Sequence, residues 1–226
     1  LLTPARCAAK PCPAGISQQR LTVRNGEICR YSLGEGPALL LIHGWSGAAS
    51  QFFPLMEKLA AAGFTAITYD QIGHGNSGGR QTNLPCFIHT LEDVLAEQQE
   101  QQPLAGIIGH SMGAVAAINV LADRHPALPL AMLAPAFGLK RQMYERVTQA
   151  GIPRPLLKGL FDDIAAHSGL HIDQLQAEDK LAGYRGPLAI IHDREDPMTP
   201  HDLSRTVAEQ HRIPLITTQG FGHNRL

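Results

Sequence analysis

Apolar residues along this chain fall into short runs that alternate with stretches of helical period. Residues 38–42 (Ala-Leu-Leu-Leu-Ile) form a continuous apolar run, the pattern of a strand buried on both faces. In residues 50–62, Phe52, Phe53, Leu55, Met56, Leu59 and Ala60 recur at helical spacing, and Gly63 supplies a stop. The alternation continues with a predicted strand at 64–69 and a helix at 87–101, which has a polar Glu/Gln face and is closed by Pro103. A strand at 104–108, a helix at 112–124 and a strand at 128–133 follow. After a gap the rhythm resumes with a strand at 187–192, a helix at 202–211 and a strand at 213–217. Ahead of the series, β-like runs at 20–24 and 27–33 flank Asn25-Gly26, a strong hairpin signal.

Strands alternating with helices imply an α/β fold with a mostly parallel sheet covered on both faces. Residues 139–186 break the rhythm. They hold helical pieces at 141–149, 156–167 and 172–181 and no convincing strand. We expect a small helical lid inserted over the sheet edge, within a single domain spanning 1–226. No internal repeat or low-complexity segment is evident.

Composition narrows the function classes. An apolar content of 44% in 226 residues suffices for one sizeable core. A formal net charge of −1 gives no electrostatic case for nucleic acid or an anionic membrane. No stretch approaches the ~18 apolar residues of a membrane span. The first residues, Leu1-Leu2-Thr3-Pro4-Ala5-Arg6, have no apolar h-region, so a cytoplasmic location is the default expectation. Cys7, Cys12, Cys29 and Cys86 are irregularly spaced and are read as free thiols, with a Cys7–Cys12 disulfide as the alternative. Cys29 and Cys86 lie in strand or apolar contexts and are read as packing residues.

The chemistry centres on Gly109-His110-Ser111-Met112-Gly113, which lies between an apolar strand and a helix. A serine at such a strained turn needs small neighbours two residues away on each side. The turn lifts the hydroxyl above the sheet and leaves the Met112 N–H unpaired at a helix N-terminus, aimed at developing negative charge.

Four further segments make the chain resemble the α/β-hydrolase superfamily across residues 20–226. His43-Gly44-Trp45-Ser46-Gly47 matches the loop that donates a second oxyanion N–H, a role the resemblance places on Trp45. Asp70-Gln71-Ile72-Gly73-His74-Gly75-Asn76-Ser77 matches the family's D-x-x-G-x-G-x-S loop. Asp193 to Pro200 matches the acid-bearing loop, in which the catalytic Asp lies four residues before a proline, here Asp196. Gly222-His223-Asn224 matches the histidine loop. The chain order Ser, Asp, His is that of the family. In motif the serine segment is most similar to the monoglyceride-lipase and carboxylesterase branch. The resemblance implies a doubly wound sheet of about eight strands with helices on both faces. Members usually carry a further helix after the histidine loop, whereas this sequence ends three residues past His223.

A serine hydroxyl needs a base to take its proton and a carboxylate to hold that base in the right tautomer. Of eleven histidines, His223 alone lies in a loop just after the last strand. His43 and His74 are expected to fix the loops beside the site by hydrogen bonding. Asp196 is the expected acid and Asp193 the alternative. The segment 134–138 after the preceding strand, where some members carry the acid, contains no carboxylate. Asp70 is expected to organise its glycine-rich loop. His167 and His171 have the spacing of a helical metal pair, but no third ligand is apparent, and no metal site is expected.

The reading is therefore a serine hydrolase that cleaves a carboxylic ester through an acyl-enzyme. Ser111, Asp196 and His223 are catalytic, and Trp45 and Met112 donate to the oxyanion. The mechanism needs no metal or organic cofactor, and the partner is a small-molecule ester. Leu156, Leu157, Leu160, Phe161 and Ile164 share one face of the lid helix. Of these, Leu157 and Phe161 are expected to join Trp45 and Phe137 around the acyl group, with Phe53 nearby. This set favours a medium-chain or aromatic ester, and no charged residue marks an ionic substrate. C–C bond hydrolysis, perhydrolysis and acyl transfer remain open on the same scaffold, as does a non-catalytic binding role.

Overall fold

The computed structural model describes residues 3–4 and 11–225. The proposed Cys7–Cys12 pairing therefore lies outside the described residues. Among the described residues Cys12, Cys29 and Cys86 form no disulfide with one another, and the last two are buried.

Among the described residues, eight strands form one sheet in the order β1-β2-β4-β3-β5-β6-β7-β8. The hairpin of β1 (Ser17–Val23) and β2 (Gly26–Leu33) is antiparallel, and β2 also runs antiparallel to β4 (Thr65–Tyr69). From β4 onward every pairing is parallel, through β3 (Ala38–Ile42), β5 (Leu104–His110), β6 (Leu130–Leu133), β7 (Leu188–Asp193) and β8 (Leu215–Thr218). Parallel strands place the loops that follow them on one edge of the sheet, where α/β folds bind ligands. The loops after β3, β4, β5, β7 and β8 carry the five segments singled out in the sequence.

Successive β3 residues point to opposite faces. Leu40 and Ile42 pack with Phe87 and Leu91 of α2 (Leu84–Gln101) and with Ile118 of α3 (Met112–Arg124). Leu41 packs with Phe52, Phe53 and Met56 on the opposite face, which α1 (Phe53–Ala61) covers. This two-sided burial is why β3 reads as an unbroken apolar run.

Several boundaries differ from the sequence expectation for identifiable reasons. The helix predicted at 50–62 is a 3₁₀ turn, Ala49–Gln51, followed by α1, with Pro54 in its first turn. Proline lacks an N–H and is well placed where that group has no partner. Helix α2 begins three residues early because the Asn83 side chain accepts from Cys86 N at 2.8 Å. Between β6 and β7 lie α4 (Leu139–Gln149) and α5 (Arg154–Ser168). The helix predicted at 172–181 is split there into a 3₁₀ turn, Ile172–Gln174, and α6 (Ala177–Leu181). Last comes α7 (His201–His211).

Candidate active site

Ser111 joins β5 to α3 with φ 52° and ψ −119°. Positive φ is strained for a residue with a side chain and is found where surrounding structure enforces it. Here the Ser111 N–H donates to Leu133 O at 2.9 Å, and Ser111 O accepts from Ala114 N at 3.1 Å. Both flanking glycines are required by close approach. A Cβ on Gly109 would lie 2.6 Å from Ala114 Cα, and one on Gly113 would lie 2.5 Å from the carbonyl oxygens of Ile42 and His43. Helix α3 thus packs directly on the end of β3, and Met112 takes its first position, where an N–H has no intrahelical acceptor.

Two loops bring the remaining groups to this turn. His223 Nε2 lies 3.1 Å from Ser111 Oγ, and His223 Nδ1 lies 2.7 Å from Asp196 Oδ2. A carboxylate can only accept, so Nδ1 carries the proton and Nε2 is left to accept from the serine. The Asp196 side chain is fully buried and that of His223 nearly so. Burial would raise the Asp196 carboxyl, but bonds from His192, His223 and the Thr199 and Met198 N–H groups outweigh it and hold the acid well below the usual carboxylate range.

Asp193, the alternative acid, is engaged by other donors. Its carboxylate accepts from Glu195 N at 2.9 Å, Thr218 Oγ1 at 2.9 Å and Phe221 N at 3.0 Å. Burial opposes ionisation, but these donors bring Asp193 down to about 2. It ties the acid loop to the chain just ahead of His223. His110 reaches the same loop from the serine side, with Nε2–H donating to His223 O at 2.8 Å. Burial and the neighbouring His223 lower His110 to about 4, which keeps it neutral.

The loop after β3 lies against Ser111, since a Cβ on Gly44 would approach Ser111 Cβ to 2.8 Å. His43 donates from Nδ1 to Gly44 O at 2.7 Å and accepts from Gln71 N at 3.0 Å. Burial, then the proximity of His74, depress it to about 3, consistent with this neutral tautomer. His74 Nε2 accepts from Ser46 N at 3.0 Å, beside the positive φ of Ser46. Asp70 accepts from Ala49 N at 2.7 Å and Asn76 N at 2.9 Å, so it braces both glycine-rich loops.

A cavity of about 990 Å³ opens over Ser111 and His223, lined on one side by Trp45, Met112 and Leu84 and on the other by residues of α4 and α5. Phe161 lines it, together with Ile164 and Met143. Three expectations are corrected. Phe137 and Leu157 are buried in the core and form no part of the cavity wall, and Phe53 packs beneath the opposite face of the sheet. Leu157 and Phe161 are one helical turn apart on α5, and the helix is rolled so that only Phe161 reaches the cavity. No group of three or more metal-ligating side chains converges among the described residues. Gly169, at φ 74°, ends α5 between His167 and His171, so these two do not share a helical face.

Sequence reasoning missed one residue of the site. His192, at the end of β7, is buried, with Nε2 3.1 Å from Asp196 Oδ2 and 3.1 Å from Thr199 O. Both partners only accept, so Nε2 carries the proton. Nδ1 faces the buried Ser204 hydroxyl at 2.7 Å. Asp196 Oδ2 thus receives two imidazole N–H groups. His192→Leu removes one of these supports, so the carboxylate that orients His223 is held less firmly, and kcat on an ester is expected to fall by up to about tenfold with little change in KM. Near-wild-type kcat in His192→Leu would show that the remaining donors suffice to hold Asp196.

A family model described as serine aminopeptidase, S33, matches residues 36–175, more than half of the chain. The chain belongs to this family of α/β-hydrolases. A Xanthomonas campestris pimeloyl-[acyl-carrier protein] methyl ester esterase is 35% identical over 102 residues, which are 45% of this α/β-hydrolase and 38% of that protein. An uncharacterized Mycobacterium tuberculosis protein is 24% identical over 196 residues, covering 84% of this chain and 64% of its relative. The chain therefore spans less than two thirds of the curated relatives it matches. Among solved structures, a Pyrococcus furiosus esterase superposes with a TM-score of 0.75 at 19% identity, covering 100% of this chain and 90% of the other, a likeness of fold.

Proposed function

We propose that this α/β-hydrolase cleaves carboxylic esters of largely apolar acids through an acyl-enzyme. The observation that carries the reading is the unbroken relay from Ser111 Oγ through the His223 ring to Asp196 Oδ2, at 3.1 and 2.7 Å. Ser111 Oγ attacks the ester carbonyl while His223 Nε2 takes its proton. The Met112 and Trp45 N–H groups hold the oxyanion, each worth roughly 3–4 kcal/mol in the transition state. The tetrahedral intermediate collapses, and His223 gives the proton to the departing alkoxide. Water, deprotonated by His223, then releases the acid and restores Ser111.

Residues 139–186 act as a cap over the acyl group within one domain. The apolar cavity wall from α4 and α5 supports this role, and the Xanthomonas relative, a methyl ester esterase, supports an ester as substrate. The test is a series of p-nitrophenyl esters of increasing chain length. We expect kcat/KM to rise from acetate to a medium-chain maximum as methylenes are buried, by up to about fourfold per CH₂ at ~0.8 kcal/mol each. A folded protein that cleaves no member of the series would contradict the proposal.

A further inference from the structure

Two charged side chains at the cavity take no part in the relay. Among the described residues that line it, Arg146 and Arg225 are the only ones with a fixed charge, and none is a carboxylate. Other cations of the cap have partners of their own or lie off the cavity: Lys140 faces Asp173, Arg141 faces Glu145, Lys158 faces Asp162, Lys180 faces Asp123, Arg154 lies over the Tyr144 ring, and Arg185 does not line the cavity. Arg146 and Arg225 instead meet backbone carbonyls, Met198 O and Gly220 O, each at 3.3 Å. Each guanidinium has five N–H donors, so most stay available to a ligand.

Their placement is directional. Met198 lies in the acid loop, and its N–H donates to Asp196 Oδ1 at 2.7 Å. Arg225 follows His223 by two residues. Both arginines therefore bear on the wall built by the acid and histidine loops. In the proposed reaction the alcohol must leave on that side, because His223 Nε2 protonates it. The apolar wall of Met143, Phe161 and Ile164 belongs to the cap and suits the acid half.

We propose that the alcohol half of the substrate carries an anion, a phosphate or carboxylate, which Arg146 and Arg225 bind as the acyl chain lies under the cap. The proposal rests on the Ser111–His223 reading and adds the substrate class to it. Hydrolysis then releases an apolar acid and an anionic alcohol, with no additional co-reactant.

Four esters test it at matched chain length: hexanoyl glycerol, hexanoyl glycerol 3-phosphate, hexanoyl glycolate, and the monomethyl ester of adipic acid, whose anion is on the acid half. We expect kcat/KM for the phosphate or the glycolate ester, or both, to exceed that for hexanoyl glycerol by about tenfold at low salt. The two arms tell phosphate from carboxylate. The ratio should shrink towards one in about 0.5 M NaCl, because exposed charges are screened. It should also fall to about one in Arg146→Gln and Arg225→Gln. Cleavage of hexanoyl glycerol with no preference for either anionic alcohol would overturn this proposal alone. So would a preference confined to the adipate ester, or a ratio untouched by salt and by both substitutions. Cleavage of none of the four would remove the serine-relay reading and this proposal together.

Discussion

Replacing Ser111 with Ala is expected to lower kcat on the best ester by roughly 10⁴–10⁶. The size of the loss follows from what remains. With no hydroxyl, there is no covalent intermediate, and the proton-accepting nitrogen of His223 has no nucleophile 3.1 Å away. The oxyanion donors and the cavity are untouched, so residual hydrolysis by water is expected rather than complete silence. The substitution also relieves no packing constraint, because the φ of 52° at this position is imposed by the junction of β5 and α3. Thermal unfolding should therefore shift little while turnover collapses. Steady-state kinetics and circular dichroism on one preparation check both halves. Activity within about tenfold of the wild type would remove Ser111 from the chemistry.

Asp196→Asn is expected to cost about 10⁴ in kcat with a milder effect on KM. Asp196 receives the His223 Nδ1–H, the His192 Nε2–H, the Thr199 hydroxyl and two backbone N–H groups. An amide supplies one acceptor oxygen and turns an NH₂ towards at least one of these donors. The His223 ring then loses its charge partner and is free to adopt the tautomer with hydrogen on Nε2, which cannot accept from Ser111. Adding Asp196→Asn to His223→Ala should cost little beyond His223→Ala alone, because residues that act as one unit are not additive. Near-wild-type kcat for Asp196→Asn would indicate that another group orients the histidine.

The sheet and the serine turn were legible in the sequence because each depends on local pattern, whereas Asp196 and the His223 loop were expected from the resemblance to the α/β-hydrolases. An apolar run such as residues 38–42 announces a strand buried on both faces, and glycines two residues either side of Ser111 announce a turn that α3 must approach closely. The resemblance favoured Asp196 over Asp193 through the spacing to Pro200, and in the structure the Asp193 carboxylate accepts from Phe221 N. What depended on the roll of a helix was not legible. Leu157 and Phe161 are equivalent in period, yet one faces the core and the other the cavity. Phe137 follows β6 closely in sequence but turns inward. His192 sits at the end of an apolar run, where it reads as strand interior. A signal was available in its i, i+4 spacing to Asp196 across a tight turn. Arg146 and Arg225 are brought to one cavity from a cap helix and a distant loop, a juxtaposition that no local pattern encodes.

Labelling with a fluorophosphonate probe, followed by peptide mapping, tests the central claim most directly. Such a probe forms a covalent adduct only with a serine whose proton is taken by a base and whose developing oxyanion is held. A single adduct on Ser111 is expected in the wild type, absent from Ser111→Ala and strongly slowed in His223→Ala. A folded wild-type protein that stays unlabelled, or one labelled at a serine other than Ser111, would contradict the account.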